Sequence, residues 1–386
     1  MSVLVVNAGS SSLKVAIFDP SLTQLFAGLV SEIGGQSRLS VAGRTTAITV
    51  ADHAAALDVL LKAAEGAGHP FAAIKIAAHR VVHGGPDLTA TCRVTPSVEA
   101  AIAATIPLAP LHNPANLLAV RALAKRAPSL PQYAAFDTAF HATNPEVAWR
   151  YALPDTALSH GIRRYGFHGI SFTALVRKVK ELSPGKPYER LLAFHLGNGA
   201  SLCAIRDGKS VATTMGYSPL DGLTMGTRSG TIDGNAVLRL AELYGIEGAG
   251  RILNRESGLL GLGGASDMRA LQAAGTPQAS FAIEHFRYWA IRHAGSMIAA
   301  MGGLDGIAFT GGIGENDAAM RAGILEGLLF TGAALDPEAN ATGSICIHKS
   351  TSPVAIWIVP AEEERQIARE AMALWASESD DEPAAP

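Results

Sequence analysis

Three short glycine-rich turns carry the first chemical signal in this chain. Asn7, Ala8, Gly9, Ser10, Ser11 and Ser12 follow the apolar run 3–6. His195, Leu196, Gly197, Asn198 and Gly199 continue the run 191–194, and Thr310, Gly311, Gly312, Ile313, Gly314, Glu315 and Asn316 follow 306–309. Such a turn after a strand can present consecutive backbone N–H groups to an anion, and a helix opening behind it adds partial positive charge. The 310–316 segment (TGGIGEN) precedes a helix-like stretch, the context of a phosphate or nucleotide site. Any one of these is also what an ordinary tight turn looks like. Three of a kind, two of them in matching strand–turn–strand openings, bring the ordinary-turn and phosphate readings about level.

Charged and polar residues set against apolar strands give the second signal. Arg80 lies in AAHRVVHGG (77–85), where it needs either a structural ion-pair partner or a role as a guanidinium fork for a carboxylate or phosphate. Asp137, in AFDTAFH (135–141), falls at the carboxyl end of an apolar strand, the edge where open α/β sheets collect ligands; a turn or helix-capping Asp fits equally. His168 stands between Phe167 and Gly169 just before a helical pattern, and Arg228 stands in the glycine-flanked loop MGTRSG (225–230). Glu362, Glu363 and Glu364 open the last helical pattern, where they complement the helix dipole or offer a carboxylate to Mg2+.

The elements that must hold these groups alternate as in an α/β chain. Strand-like runs occur at 3–6, 13–18, 25–30, 39–41 and 47–50; Asp52 then caps a helix reaching about residue 65. Further helical patterns cover 113–125, 171–181, 278–301 and 362–375. A second strand–turn–strand starts at Leu191. A slide of 188 residues superposes Gly9 on Gly197, Ala16 on Ala204, Ile17 on Ile205 and Asp19 on Asp207, which suggests two copies of one fold unit. The polar, acidic, proline-ended segment 377–386 reads as a disordered tail.

Composition narrows the classes. The 386 residues are 48% hydrophobic and 17% charged, enough for large cores. A formal charge of −3 excludes a strongly basic nucleic-acid binder as the default, so a positive field for an anion must be local. Cys92, Cys203 and Cys346 are scattered, which argues against a disulfide framework or zinc site. The opening residues have no signal-peptide pattern and no apolar run approaches membrane-spanning length. A Walker A is absent: Gly208, Lys209 and Ser210 have Cys203 where its first glycine should be. The G-x-G-x-x-G, H-E-x-x-H and G-x-S-x-G patterns are missing too.

The motifs NAGSSSLK (7–14), HRVVHGG (79–85), PLHNPAN (110–116), FDTAFH (136–141), RYGFHG (164–169), HLGNGASL (195–202), SPLDGLTMGTRSG (218–230) and TGGIGEN (310–316), with the glutamates before IARE (367–370), occur in an order that resembles the acetate and propionate kinase family of the actin/sugar-kinase/Hsp70 superfamily. The resemblance spans nearly the whole chain. It implies an α/β protein of two duplicated ribonuclease-H-like, actin-like ATPase domains (βββαβαβα core) around an interdomain cleft: 1–150 on the acyl-acceptor side, 151–376 for the nucleotide, with the helix 362–376 packing back on the first. It implies ATP/ADP as co-substrate with Mg2+ or Mn2+, a small carboxylate partner (acetate, and propionate), a cytoplasmic homodimer, and neither nucleic acid nor membrane.

Matched residue by residue, the resemblance assigns Asn7 and Glu363 to the metal. It assigns Ser10, Ser12 and Lys14, His195, Leu196, Gly197, Asn198 and Gly199, Asp267, Met268 and Arg269, and Gly312, Ile313, Gly314, Glu315 and Asn316 to the nucleotide. Arg80, Arg228, His168 and Asp137 become catalytic, and Arg80, Val82, Leu111, His112 and Pro219 contact the carboxylate substrate. The chain departs from the family's usual pattern at Phe172, Thr231, Gly234, Gly311 and Glu362. The implied reaction is reversible in-line transfer of the ATP γ-phosphoryl group to acetate, giving acetyl phosphate and ADP. A carboxylate, with a reference pKa near ~4, is already ionised at neutral pH. Asp137 is therefore expected to hold Mg2+ water or orient the arginines rather than act chiefly as a base. Two other readings are an actin- or Hsp70-like ATPase, for which the chain past Trp375 leaves no peptide-binding domain, and a kinase preferring a longer acyl chain.

Overall fold

The first apolar run forms β1 (Ser2–Ala8), followed by β2 (Leu13–Phe18), β3 (Gln24–Ser31), β4 (Arg38–Val41), β5 (Arg44–Ala47), β6 (Ile74–Val81), β7 (Cys92–Arg93) and β8 (Gln132–Phe136). The computed structural model describes residues 2–184 and 188–380. These strands make one sheet in the order β5-β4-β3-β2-β1-β6-β8-β7. β1 to β5 pair antiparallel, whereas β1, β6 and β8 are parallel neighbours. β8 is buried throughout, and its polar Gln132 is satisfied there by His79 Nε2, 2.7 Å from its Oε1. The helix His53–Gly66, capped by Asp52 accepting from the Ala55 N–H at 2.8 Å, lays Leu57, Leu60 and Leu61 on Val6, Leu13, Val15 and Val30.

The expected strand at 47–50 is displaced: β5 runs Arg44–Ala47 instead. Ala42 and Gly43 have φ of 47° and 75°, a two-residue hairpin turn that pairs Val41 with Arg44 and so sets where β5 begins regardless of apolarity.

A second sheet holds β9 (Arg190–Leu196), β10 (Ala200–Arg206), β11 (Lys209–Thr213), β12 (Gly306–Thr310) and β13 (Ala355–Ile358) in the order β11-β10-β9-β12-β13. Its pairing senses repeat those of β3-β2-β1-β6-β8: two antiparallel contacts, then two parallel. The repeat is visible in the sheets more than in the identities. Asn7 pairs with Lys14 and His195 with Ser201, so the second turn is one residue shorter. Gly9 and Gly197 remain equivalent, but Ala16 and Ala204, Ile17 and Ile205, and Asp19 and Asp207 fall one place out of register.

The chain divides into two units, residues 1–139 with 362–386, and residues 140–361. Residue 150, the expected end of the first domain, lies inside the second unit. The last helix, Glu363–Asp380, packs on β1, β6 and β8 of the first. Residues 377–380, expected to be disordered, continue that helix; 381–386 lie outside the described residues. Among the described residues no helix is long and apolar enough to cross a membrane.

Candidate active site

In the first unit the parallel pairing sets Asn7 beside Arg80 and Arg80 beside Ala135, so Asn7, Arg80 and Asp137 gather at the carboxyl ends of β1, β6 and β8. Asp137 continues the ladder through its N–H to the Val81 carbonyl at 3.1 Å. Its carboxylate takes both prongs of Arg80, from Nε at 2.9 Å and from Nη2 at 2.7 Å. Arg80 Nη1 lies 3.5 Å from Asn7 Oδ1 and 3.9 Å from Glu363 Oε2, in the first turn of the last helix. Asp137 is thus an ion-pair partner, and Arg80 is already neutralised. Burial raises the Asp137 carboxyl above its ordinary range, with the Arg80 guanidinium opposing and Glu363 adding.

Asn7, Asp137 and Glu363 bring hard oxygen donors to one place, the ligand chemistry Mg2+ takes. Among the described residues there is no group of three or more His, Cys, Asp or Glu disposed as a complete metal cage.

The first turn is shaped from within. The Gly9 N–H reaches the Ser12 carbonyl at 2.8 Å, and the Gly9 carbonyl meets His53 Nε2 at 2.7 Å. Ser10 is exposed at its tip and Ser12 half-buried. Lys14, assigned to the nucleotide, is paired with Glu364 at 2.6 Å. Of the expected acceptor residues in this unit, Val82 is buried, with its N–H on Asn116 Oδ1 at 3.0 Å. Leu111 is 43% exposed. His112 precedes the helix Asn113–Arg126, and its charge favours ionised Asp137.

In the second unit His168 has a left-handed φ of 59° where it enters the helix Gly169–Leu182. Its Nδ1 lies 2.8 Å from Ser201 Oγ, and its ring stacks on His195 at 4.0 Å between centroids. His195 Nδ1 is 2.9 Å from Ser171 Oγ, which holds its ring against that of His168. Arg228 Nη1 donates to the Pro219 carbonyl at 2.6 Å. Arg228 and His168 converge on Gly199: a Cβ there would lie 3.1 Å from Arg228 Nη2 and 3.3 Å from His168 Nε2. Burial disfavours the charge on Arg228, and among the described residues no carboxylate pairs with it. A desolvated cation without an anion is costly in a finished fold and suits a site awaiting an anionic ligand.

The Gly197–Gly199 turn opens on a pocket of about 490 Å3 lined by Gly197, Asn198, Asp267, Met268, Gly312 and Asn316 among others. Arg269 and Ile313 also line it, so much of the expected nucleotide set is gathered here. Gly226 permits this shape: a Cβ on it would fall 1.8 Å from Asn198 Oδ1. The 310–316 segment is not an open turn. Gly311, with φ 79°, leads directly into a short helix, Gly311–Asn316. Leu196 and Gly314 are buried beneath the pocket wall, and Glu315 Oε1 accepts the N–H groups of Gly311 at 3.0 Å and Ala361 at 2.9 Å. Glu315 is therefore a backbone clasp.

Sequence reasoning missed Arg321. It is buried, and its fork donates to the carbonyls of Gly314, Glu315 and Asn340 at 2.9 Å each, fixing the end of the Gly311–Asn316 helix. An arginine inside an ordinary amphipathic helix gives no sequence signal. Phe172 packs edge-on to His195, with centroids 6.4 Å apart, in the core below the site. Thr231 donates to Asp221 Oδ1 at 2.9 Å, and Gly234 starts the helix Gly234–Arg251 in open space.

Residues 2–369 match the Acetokinase family. The chain is 42% identical over 394 residues to the acetate kinase of Methylocella silvestris, covering 96% of this chain and 97% of that one. It is similar to the crystal structure of Porphyromonas gingivalis acetate kinase (TM-score 0.90, 36% identity, 97% of this chain and 99% of the other). It is equally similar to a propionate kinase from Francisella tularensis (TM-score 0.91, 35% identity, 96% and 98%).

Proposed function

Because the chain belongs to the acetokinase family and is a phosphotransferase of that type, we propose that it moves the γ-phosphoryl group of ATP directly and in line onto acetate, reversibly, giving acetyl phosphate and ADP. The observation that carries this reading is Arg228: a desolvated guanidinium with no carboxylate partner among the described residues, set with His168 Nε2 around Gly199, in the turn whose Gly197 and Asn198 line the pocket of about 490 Å3.

The obstacle to the reaction is electrostatic. Two anions must approach, and the loose transition state spreads charge over the equatorial phosphoryl oxygens. In this reading Arg228 and His168 stabilise those oxygens, and Arg80 orients the acceptor carboxylate. Asn7 and Glu363 would hold Mg2+, with Asp137 acting through water; the ion neutralises phosphate charge when bound. The acceptor has no proton to lose. The two-pronged Arg80 contact makes Asp137 a positioning residue. Gly197, Asn198 and the 267–269 and 312–316 segments hold the nucleotide. Val82, Leu111, His112 and Pro219 receive the short acyl chain. Exposed apolar side chains on two helices of the second unit, Leu238, Leu243, Tyr244, Phe281 and Tyr288, support a homodimer.

The test traps acyl phosphate as hydroxamate from ATP, Mg2+ and each carboxylate from formate to butyrate. Acetate gives the highest kcat/KM. Propionate is expected to be poorer by up to the ~1–3 kcal/mol one methylene is worth. ATP hydrolysis independent of any carboxylate, with no hydroxamate, would establish the ATPase reading instead.

A further inference from the structure

Phe281, His285, Trp289 and His293 succeed one another at four-residue steps on the helix Pro277–Met301 and so share one face. Their ring centroids are 6.0, 6.0 and 5.7 Å apart in turn, and Arg292 lies 4.5 Å over the Trp289 ring. One hydrogen bond joins two rungs of this ladder and a second runs inward from it. Trp289 Nε1 donates to His285 Nε2 at 3.1 Å, and His285 Nδ1 lies 2.9 Å from Thr224 Oγ1. An indole N–H can only donate, so His285 Nε2 must accept. A neutral His285 then carries its proton on Nδ1 and gives it to Thr224. Burial favours that neutral form.

Thr224 is buried and belongs to the loop that bears Arg228. Its neighbour Met225 donates its N–H to the Arg228 carbonyl at 3.1 Å, and Leu259 closes on the Met225 carbonyl at 2.8 Å. Below, His293 faces the Asp221 carboxylate at the other end of the loop. Among the described residues no carboxylate aims Arg228. Its direction comes from the Pro219 carbonyl and from the backbone that carries it.

We propose that Trp289 is a positioning residue: through His285 and Thr224 it fixes the 221–230 loop and thereby aims the Arg228 guanidinium. This rests on the assignment of Arg228 to the transferred phosphoryl group.

The experiment measures hydroxamate formation and nucleotide affinity for Thr224→Val, Thr224→Ser and Trp289→Phe, each also in an Arg228→Ala background, with thermal unfolding alongside. Thr224→Val and Trp289→Phe are expected to lower kcat about tenfold, the scale of one lost hydrogen bond, with nucleotide KM and melting temperature little changed. Thr224→Ser, which keeps the hydroxyl, restores turnover. In the Arg228→Ala background the same changes cost nothing further, because the relay acts only through that side chain. Unchanged kcat in both single variants overturns the proposal, as does an undiminished effect without Arg228, or a loss that tracks melting temperature. Near-normal turnover of Arg228→Ala alone would instead overturn the role given to Arg228.

Discussion

Replacing Gly199 by alanine puts a methyl group where Arg228 and His168 of the second unit meet. The new Cβ would stand 3.1 Å from Arg228 Nη2 and 3.3 Å from His168 Nε2, a few tenths of an ångström inside comfortable contact. Neither neighbour yields freely: Arg228 is tied to the Pro219 carbonyl at 2.6 Å, and His168 to Ser201 at 2.8 Å with its face against His195. Gly199 does not have a positive φ, so alanine brings no backbone strain and the fold survives. A misplacement of ~1 Å at a reacting centre costs ~10²-fold; a few tenths, shared by two groups, should cost about tenfold in kcat. Steady-state hydroxamate assays with calorimetric titration of ADP separate this from binding. Turnover falls while ADP affinity and melting temperature hold. Wild-type kcat in Gly199→Ala would refute the convergence of Arg228 and His168 on the reacting group.

Asp137→Asn is expected to lower kcat by about tenfold or more, because it leaves the Arg80 fork without its charged partner, and to do so equally across neutral and alkaline pH. An acid limb present in the wild-type pH–rate profile and lost in the variant would assign proton transfer to Asp137 instead. Stability should fall in acid. His79 and His141 are buried and depressed to about 4, whereas in the unfolded chain they titrate at 6.5. The unfolded state therefore binds more protons between 6.5 and 4, and each histidine withdraws up to ~3 kcal/mol as pH falls through that window. Melting curves that stay flat from 6.5 to 4 would contradict the neutral burial of both rings.

Much of the site was legible because its chemistry conflicts with its surroundings. Arg80, Asp137, His168 and Arg228 stand out as charge or hydrogen-bonding capacity beside apolar runs, and the structure sets Arg80 against Asp137 and Arg228 against His168. What could not be read was how each group is spent. Lys14 goes to Glu364, Glu315 to two backbone N–H groups, and His195 to stacking under His168, because residue type states capacity and only geometry states partner. Strands whose apolar runs are continuous were legible. β5, fixed by the Ala42–Gly43 turn, was not, and neither was the last helix beyond 376, where helical hydrogen bonding carries on into a polar sequence. The one-residue difference between the two glycine turns was invisible to a fixed slide along the sequence.

The central claim is that Arg228 is the cation that the transferred phosphoryl group completes. Its most direct measurement is the turnover of Arg228→Ala with ATP, Mg2+ and acetate, read as trapped acyl phosphate, beside the nucleotide dissociation constant of the same protein. A loss of ~10²–10³ in kcat with nucleotide binding retained is the expected result; turnover close to wild type would contradict it.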